Sequence, residues 1–322
     1  MFTNNDIKKK SIFVINCIEK RLLKVSNGEL LLEDGITSKT LTKMPFQKML
    51  AIFVIGHITI TTPLIDKCKR YNVALIVVKP NLRPVFVCAS SAEANFLLRQ
   101  QQYLINPNDI NAAKAIVLNK IANQTRLLRN TRKRDPITIS KIKVFEQALK
   151  SIKNIERYEQ LMGLEGYVAR QFFSLYFSEY NWTMRRPRTK CDIINALLDI
   201  GYTILFNFIE CYARMFGFDV YKGVYHRLWF KRKSLVCDLV EPFRCIIDRT
   251  IRIALNKKRC KKEDFNIEKG EYILKREKNK DYQQMFFESI IKYKSEIFLF
   301  IQGYYRCFMQ NKPYDSYPHF NI

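Results

Sequence analysis

The chain has 322 residues, with 55 lysines and arginines against 30 aspartates and glutamates, which gives a formal net charge of +25 at pH 7. Apolar residues make up 48% of the sequence and charged residues 26%, a composition typical of a folded protein rather than of a disordered tail. The length predicts about two domains. The charge indicates a polyanionic partner, most simply nucleic acid, with a basic membrane-surface protein as the alternative.

Membrane, secreted and zinc-ribbon proteins are disfavoured by the sequence. The most apolar stretch, residues 49–65, is interrupted by Gly56 and Pro63 and is typical of buried strands rather than of a membrane span. A short apolar run after the lysines at 8–10 ends at Glu19 without a small-residue cleavage site, which argues against a secretory signal. The nine cysteines never occur with C-x-x-C spacing, so we expect reduced thiols, a cytoplasmic location and no membrane partner.

Residues 1–90 are predicted to be rich in β-strands. Short runs of β-branched and aromatic residues occur at 11–16, 22–25, 29–32, 49–55, 58–61, 73–78 and 85–88. Asn27 and Gly28, which separate the second and third runs, are typical of a hairpin turn. Thr62 and Pro63 predict the start of a short helix that ends near Tyr71.

After residue 90 the apolar residues change to helical spacing. Ser90 and Glu93 have the spacing of a capping box at the start of the first helix. Helical stretches are predicted at 92–104, 109–134, 138–161, 164–178, 191–216, 243–256 and 281–311. The sequence therefore predicts an α+β protein of two domains. A β-rich N-terminal domain at 1–90 precedes an all-α-helical domain at 91–322, which we expect to carry the chemistry.

Three basic clusters occur in the helical half. They are Arg126, Arg129, Arg132, Lys133 and Arg134; Arg185, Arg186, Arg188 and Lys190; and Lys257, Lys258, Arg259, Lys261 and Lys262. Together with the net charge, they favour contacts to DNA phosphates, which provide affinity and salt dependence without sequence information. Helical spacing would place Arg126, Arg129 and Arg132 on one side of their helix. Solvated helix ends are the alternative interpretation of each cluster.

The chain has only three histidines, so a catalytic triad or a zinc site with several histidines has little to draw on. His226 ends a Gly-Val-Tyr-His segment, and Asp238 and Glu241 lie in the segment Asp-Leu-Val-Glu-Pro-Phe-Arg. Two acids three residues apart share a face if the segment is helical. Because buried carboxylates require partners, these acids either pair with Arg244 and Arg249 or hold a cation.

Glu165 lies between Gly163 and Gly166 at the predicted opening of an aromatic-rich helix. A carboxylate in the first turn of a helix is also favoured by the helix dipole, so this residue has a structural explanation as well as a functional one. Arg170 follows about one turn later. Its side chain would face either a substrate phosphate or the helix surface.

In their order along the chain, these motifs resemble those of the CRISPR-associated spacer integrases, the universal first protein of CRISPR adaptation. Glu165, His226 and Glu241 stand where that family has a Gly-x-Glu-Gly helix start, a Gly-x-x-His segment and an Asp-Leu-x-Glu-Pro-Phe-Arg helix. Three further stretches with matching patterns lie at 55–61, 97–103 and 195–202. The resemblance covers nearly the whole chain, and its specificity comes from the ordered combination of motifs.

The resemblance implies that Glu165, His226 and Glu241 bind Mg²⁺ or Mn²⁺, a metal preference that suits two carboxylates and one imidazole. Asp238 would orient a ligand or hold Arg244. Attack by a DNA 3′-OH on a phosphodiester would give integration, and attack by water would give nuclease activity. The implied partners are protospacer and CRISPR repeat DNA, a second copy of the chain bound largely through the β-domain, and the small second adaptation protein in a prokaryotic cytoplasm.

Two other functions remain open from the residues alone. One is a structure-selective DNA repair nuclease that uses the same side chains, and the other is a non-catalytic DNA-binding scaffold in which they form a structural polar cluster. The chain also departs from the family at 227–233, where an aromatic and basic segment replaces a polar turn that often contains glycine. The tail at 312–322 matches no element of the family.

Overall fold

In a computed structural model of the chain, the residues described are 4–17, 20–89, 94–106, 109–132, 135–182 and 184–322. The chain divides into two compact units, Met1–Gln100 with Asn207–Asp219, and Gln101–Phe206 with Val220–Ile322. The domain boundary expected at residue 90, and the predicted capping pair of Ser90 and Glu93, lie outside the described residues.

Among the residues described before position 89, the first unit contains eight strands and two short α-helices. They are α1 (Asn4–Lys9), β1 (Ser11–Cys17), β2 (Arg21–Ser26), β3 (Glu29–Asp34), β4 (Thr40–Pro45), β5 (Met49–Gly56), β6 (Thr59–Ile60), α2 (Thr62–Arg70), β7 (Ala74–Val78) and β8 (Pro84–Cys88). The strands form two four-stranded sheets, in the orders β1-β5-β7-β8 and β4-β3-β2-β6. The prediction of a β-rich N-terminal region is confirmed, and β4 is a strand that the apolar pattern did not indicate because its residues are mostly exposed or half-buried.

Burial and turn chemistry explain why these residues form strands. β5 pairs in parallel with both β1 and β7, and its residues from Met49 to Ile55 are all buried, as expected for a central parallel strand. Asn27 and Gly28 both have positive φ angles, of 49° and 80°, in the turn that joins β2 to β3. Two successive positive φ angles are characteristic of a type I′ hairpin turn, as the Asn-Gly pair predicts.

The remainder of the chain is mostly helical, as predicted. Its elements are α3 (Phe96–Leu104), α4 (Asn111–Arg129), α5 (Pro136–Ser151), α6 (Tyr158–Tyr176), α7 (Ile193–Met215), α8 (Ser234–Val240), α9 (Arg244–Asn256), β9 (Phe265–Glu268), β10 (Glu271–Leu274), α10 (Asn279–Ile291) and α11 (Lys294–Met309). The expectation of an exclusively helical region is wrong at β9 and β10, which form an antiparallel hairpin. Lys269 and Gly270 provide its turn at positive φ, a Lys-Gly signal that the helical pattern on either side obscured.

Helix α7 is long and apolar enough to cross a membrane by length and composition, but 72% of its most apolar window is buried inside the protein, as in a core helix. Gly201 makes close packing of this helix possible. A Cβ atom at that position would lie 2.5 Å from the Ile247 side chain on α9 and 2.8 Å from that of Phe286 on α10. The glycine of the Gly-Tyr pair at 201–202 is therefore required by packing.

The C-terminal tail, which matched no family element, is held against α4. The side chain of Asn119 donates to the Phe320 carbonyl at 2.8 Å and accepts from its amide at 2.9 Å. Asn123 donates to the carbonyls of Phe320 and Pro242, both at 3.0 Å. The Phe320 ring packs on Phe243 with centroids 4.8 Å apart. These contacts tie α4 to the segment that begins with Glu241.

Candidate active site

Glu165 lies inside helix α6, because that helix begins at Tyr158. The expectation that Glu165 opens the helix is therefore wrong, and so is the explanation by the helix dipole, which acts within the first turn. The side chain of Gln160 accepts a hydrogen bond from the Arg157 amide at 3.3 Å, and this contact caps a helix that starts earlier than the glycines suggested. A Cβ atom at Gly163 or Gly166 would meet no atom within 4 Å, so the helix surface on both sides of Glu165 is open.

The ammonium group of Lys120, on α4, lies between two carboxylates that come from separate segments. Its Nζ contacts Glu165 Oε1 directly and is 2.6 Å from Glu241 Oε2. All three side chains are largely withdrawn from solvent, with 11%, 17% and 5% exposed for Lys120, Glu165 and Glu241. Burial opposes the charge of Lys120, but the two carboxylates outweigh it and raise the pKa of the amine above its ordinary value.

Glu241 begins a 3₁₀ turn between α8 and α9, where Pro242 interrupts the regular helix. Its carboxylate is 2.9 Å from Nε of Arg244, one turn later. Burial raises the pKa of this carboxyl, but Arg244, Lys120 and His226 lower it by more, to about 2. Glu241 is therefore ionised at neutral pH despite its burial. The sequence left open whether this acid pairs with an arginine or holds a cation. In the structure it pairs with Arg244 and also with the ammonium group of Lys120.

Asp238 holds the segment that carries His226. Its fully buried carboxylate accepts from the backbone amides of Val224, Tyr225 and His226 at 2.7, 3.0 and 2.8 Å. The same carboxylate lies 2.6 Å from Nδ1 of the His226 ring. A carboxylate at Nδ1 favours the tautomer with its proton on that nitrogen, which leaves the Nε2 lone pair for a metal or a proton. A Cβ atom at Gly223 would lie 2.6 Å from Asp238 Oδ2, so the segment requires glycine there.

A second layer of charged and aromatic groups lies behind Glu241. The guanidinium of Arg244 stacks over the Tyr202 ring at 4.5 Å, and that of Arg185 lies 5.6 Å from the same ring. The Tyr202 hydroxyl donates to buried Asp248 at 2.5 Å. Burial raises the pKa of Asp248 to about 7, although Tyr202 and neighbouring cations oppose that rise. This layer fixes Arg244, and through it the carboxylate of Glu241.

The arginines predicted to bind DNA differ in their surroundings. Arg129, Arg132, Arg170, Arg186 and Arg188 are exposed, and their contacts with phosphates remain a prediction. Helix α4 ends at Arg129, so the helical spacing that grouped Arg132 with it does not apply.

The other two predicted DNA-binding arginines are partly buried. Nη1 of Arg126 is buried and has no hydrogen-bond partner among the described residues. Arg185 pairs with Asp199 at 2.5 Å and donates to Asn195 at 3.0 Å. Because Asn195 also accepts from the Arg186 amide at 2.8 Å, Arg185 supports this loop instead of standing free for a phosphate.

The donor chemistry of the site fits a divalent cation. Glu165 and Glu241 already converge on one positive charge, and His226 acts electrostatically on Glu241. Among the residues that the structure describes, no three His, Cys, Asp or Glu side chains gather closely enough to hold a metal as they stand. Lys120, which no sequence motif indicated, lies between the two carboxylates. The one indication of its role is that a lysine occurs here in a stretch of α4 whose residues are mostly buried.

Comparisons with known proteins identify relatives of the chain. A family model described as CRISPR associated protein Cas1 matches residues 17–288. The chain is 25% identical over 282 residues to CRISPR-associated endonuclease Cas1 1 of Thermodesulfovibrio yellowstonii, an alignment that covers 84% of this chain and 89% of the relative. It is 27% identical over 240 residues to CRISPR-associated endonuclease Cas1 3 of Thermus thermophilus, covering 72% of this chain and 70% of the relative.

Solved structures show the same fold. A Cas1 protein from Thermotoga maritima superposes with a TM-score of 0.74 at 17% identity, over 92% of this chain and 97% of that chain. A casposase bound to its integration product superposes with a TM-score of 0.74 at 19% identity, over 94% of this chain and 91% of that chain. One chain of a partial Cas6-RT-Cas1–Cas2 complex has a TM-score of 0.73 at 20% identity, over 97% and 99% of the two chains.

Proposed function

Because the chain belongs to the Cas1 family of CRISPR-associated proteins, we propose that it is a metal-dependent DNA integrase and endonuclease of CRISPR adaptation. The observation that carries this proposal is the convergence of Glu165 and Glu241 on the ammonium group of Lys120, together with His226, which acts electrostatically on Glu241 and whose Nδ1 is engaged by Asp238. These three side chains would hold Mg²⁺ or Mn²⁺. The casposase neighbour bound to an integration product supports DNA strand transfer as the reaction.

The chain's own residues prepare the site for this reaction. Lys120 and Arg244 keep Glu241 ionised, and Asp238 fixes the imidazole of His226 in the tautomer that leaves Nε2 available. The open surface beside Gly163 and Gly166 gives a DNA backbone room to approach Glu165. When bound, the metal would polarise the scissile phosphodiester and stabilise the negative charge that develops on its oxygens.

Strand transfer in this site exchanges one phosphodiester bond for another. The 3′-oxygen of the protospacer forms a bond to a phosphorus of the CRISPR repeat, and the bond between that phosphorus and the neighbouring 3′-oxygen breaks. The proton of the attacking hydroxyl passes, overall, to the leaving oxygen. If water attacks in place of the hydroxyl, the same exchange cuts the DNA, which accounts for endonuclease activity from one set of residues.

The proposal includes the partners that this reaction requires. A protospacer has two ends, so a homodimer joined largely through the β-rich unit would supply two active sites. The small second adaptation protein would complete the complex, as a Cas2 component does in the assemblies named for two structural neighbours. The net charge of +25 suits a complex that holds duplex DNA. The cytoplasm of a prokaryote is the compartment in which these partners meet.

An integration assay tests the proposal. Purified protein, with and without a candidate second adaptation protein, is mixed with a short duplex bearing 3′-OH ends and a supercoiled plasmid carrying a CRISPR repeat. Reactions contain Mn²⁺, Mg²⁺ or EDTA, and parallel reactions use His226→Ala, Glu241→Gln and the exposed control Glu288→Gln. We expect metal-dependent joining at the repeat ends that is lost in the first two variants and retained in the control.

The same assay separates the alternative functions. Metal-dependent cutting of branched DNA without joining, even when the partner protein is present, would indicate a repair nuclease. If the wild type binds DNA but neither cuts nor joins it, the protein is a scaffold. In that case His226→Ala and Glu241→Gln should lower the stability of the protein and leave its DNA binding unchanged.

A further inference from the structure

Residues 227–233, which we call the aromatic loop, follow His226 directly and present large apolar side chains to solvent. Leu228, Trp229 and Phe230 are 60%, 74% and 82% exposed. Residues 227–232 are all exposed, which is an uninterrupted run. Exposed apolar groups of this size in one short loop mark an interaction site more often than a chance surface feature.

Hydrogen bonds at its base give the aromatic loop a defined shape. The hydroxyl of Ser234 donates to the Arg227 carbonyl at 3.0 Å and joins the two ends of the loop. A turn inside it is closed by the Arg232 amide, which donates to the Trp229 carbonyl at 3.0 Å. Lys231 occupies the left-handed region at φ 58°. The two rings are therefore displayed on a constrained turn, which lowers the entropy cost of binding a partner.

The aromatic loop is anchored beside the candidate active site. Its first residue, Arg227, stacks on the Tyr158 ring at 4.8 Å and pairs with Glu159 at 3.0 Å. Both partners are in the first turn of α6, the helix that carries Glu165 about 10 Å further along its axis. The residue before the loop is His226 itself. A molecule that binds the loop therefore lies within reach of the proposed metal ligands.

The charge of the aromatic loop indicates what kind of molecule binds there. Four of its seven residues are basic, Arg227, Lys231, Arg232 and Lys233, and none is acidic. Lys231 Nζ lies 5.0 Å from the centroid of the Phe230 ring, so a cation accompanies the exposed aromatic face. Exposed rings interleaved with cations are the combination by which proteins bind single-stranded nucleic acid, through base stacking and phosphate contacts.

We propose that Trp229 and Phe230 stack on unpaired DNA bases next to the active site and so hold the end of a single strand there. This inference rests on the proposed function, since it gives the bound strand its role as the 3′ end that enters the reaction. It adds a base-binding site that the metal ligands and the exposed arginines do not provide. Binding would be tolerant of sequence, because every base has a face on which an aromatic ring can stack.

Intrinsic fluorescence tests the contact directly, because the chain has two tryptophans and only Trp229 is exposed, while Trp182 is 7% exposed. Full-length protein with EDTA is titrated with a short oligothymidylate, and with an abasic strand of the same length and charge. We expect the oligothymidylate to quench the emission and the abasic strand to leave it unchanged. The quenching should disappear in Trp229→Phe, which reports on Trp182 alone.

Affinities from fluorescence anisotropy complete the test. Trp229→Ala/Phe230→Ala should bind a duplex with an unpaired 3′ end about ten-fold more weakly, the effect of losing roughly one stacked base. Its affinity for a blunt duplex should not change. The conservative pair Trp229→Phe/Phe230→Tyr should retain tight binding, and Ile267→Ala, which removes an exposed apolar side chain elsewhere, should behave as wild type.

Three results would overturn the inference. If the double alanine variant bound both DNAs as tightly as the wild type, and oligothymidylate left Trp229 of the wild type unquenched, the inference would fail, while metal-dependent integration by the wild type would leave the proposed function intact. A change in Trp229 emission with anionic phospholipid vesicles but not with DNA would assign the aromatic loop to a membrane surface. Absence of any DNA binding by the wild type would remove the inference and the proposed function together.

Discussion

The floor of the candidate active site and the aromatic loop beside it both contain several charges, yet their charges are satisfied in different ways. On the floor, Lys120, Glu241 and Arg244 are largely buried and paired with one another within the chain. In the aromatic loop, the basic residues surround Trp229 and Phe230 and lie mainly in water. The two regions meet at the residue that directly precedes the loop, which is the proposed histidine ligand.

This difference shows that burial determines which charged groups are paired within the chain and which remain available to a substrate. A buried charge must have its partner in the folded chain, so the floor has a fixed geometry in the absence of substrate. An exposed cation or aromatic ring costs little free energy when it has no partner, because water solvates the charge. The loop can therefore present such groups to a substrate that binds later. Changes on the floor should therefore alter stability and catalysis, and changes in the loop should alter DNA binding without altering stability.

The largest effect is expected from Lys120→Met, which keeps the length of the side chain and removes its charge. Glu165 and Glu241 would then be buried without their shared cation, at a cost of about 3–5 kcal/mol in the free energy of unfolding. Urea unfolding in EDTA measures this cost. We also expect Mn²⁺ to stabilise the variant more than the wild type, because the metal no longer competes with the ammonium group. The exposed Lys143→Met is the control, and equal stability of the two variants would contradict the prediction.

Asp248→Asn should change how stability depends on pH. The folded-state pKa of Asp248, about 7, lies above its ordinary value of 3.8, so the native state holds a proton that the unfolded chain releases between these values. The contribution of this carboxyl to stability is therefore present below about pH 4 and is lost as pH rises towards 7.

The asparagine variant can still accept from Tyr202 and has no proton to lose. Above pH 7 the free energy of unfolding of the variant should exceed that of the wild type by up to about 4 kcal/mol. A difference of one pKa unit between the folded and unfolded states corresponds to about 1.4 kcal/mol. Unfolding curves from pH 4 to 8 measure the difference, with exposed Asp315→Asn as the control. A gap that does not widen with pH would show that Asp248 is ionised in the fold.

Asp238→Asn should impair catalysis more than it impairs DNA binding. An amide in place of the carboxylate no longer favours a proton on Nδ1 of His226, so fewer molecules present Nε2 in the form that a metal needs. Loss of a carboxylate that orients a metal-binding histidine typically costs roughly 10- to 100-fold in metal affinity or activity. Integration rates and Mn²⁺ titrations measure this loss. Unaltered metal affinity in a folded variant would show that Asp238 serves only the backbone of the segment.

Gly166→Ala should have the smallest effect on stability and should separate folding from function. Alanine in the middle of α6 should stabilise the protein by about 0.5–1 kcal/mol, because its Cβ atom meets nothing in the structure and the unfolded chain loses freedom. If the open surface beside Glu165 admits the DNA backbone, the same variant should integrate more slowly. Melting temperature and integration rate are measured together. A more stable variant with full activity would exclude this surface from DNA contact.

Local patterns in the sequence predicted much of the fold. The hairpin at Asn27 and Gly28, the run of buried residues in β5 and the helical spacing after residue 90 are all properties of short stretches, and the structure contains the elements they predict. The helix start before Glu165 and the hairpin of β9 and β10 were mispredicted. In both places a local signal, the glycines or the surrounding helical pattern, was outweighed by capping and pairing elsewhere in the segment.

By itself, the sequence determined the family, the two-part fold and the identity of the acids and histidine in the candidate site, because these depend on motifs and on spacing along the chain. Only the tertiary structure decided the partners of those residues. It placed Lys120 between two acids that lie 45 and 121 positions further along the chain, and it paired Arg185, which the sequence grouped with the DNA-binding arginines, with Asp199. The physical reason is that ion pairing inside a protein is set by burial and distance in three dimensions, and neither can be read from residue spacing when the partners lie on different helices.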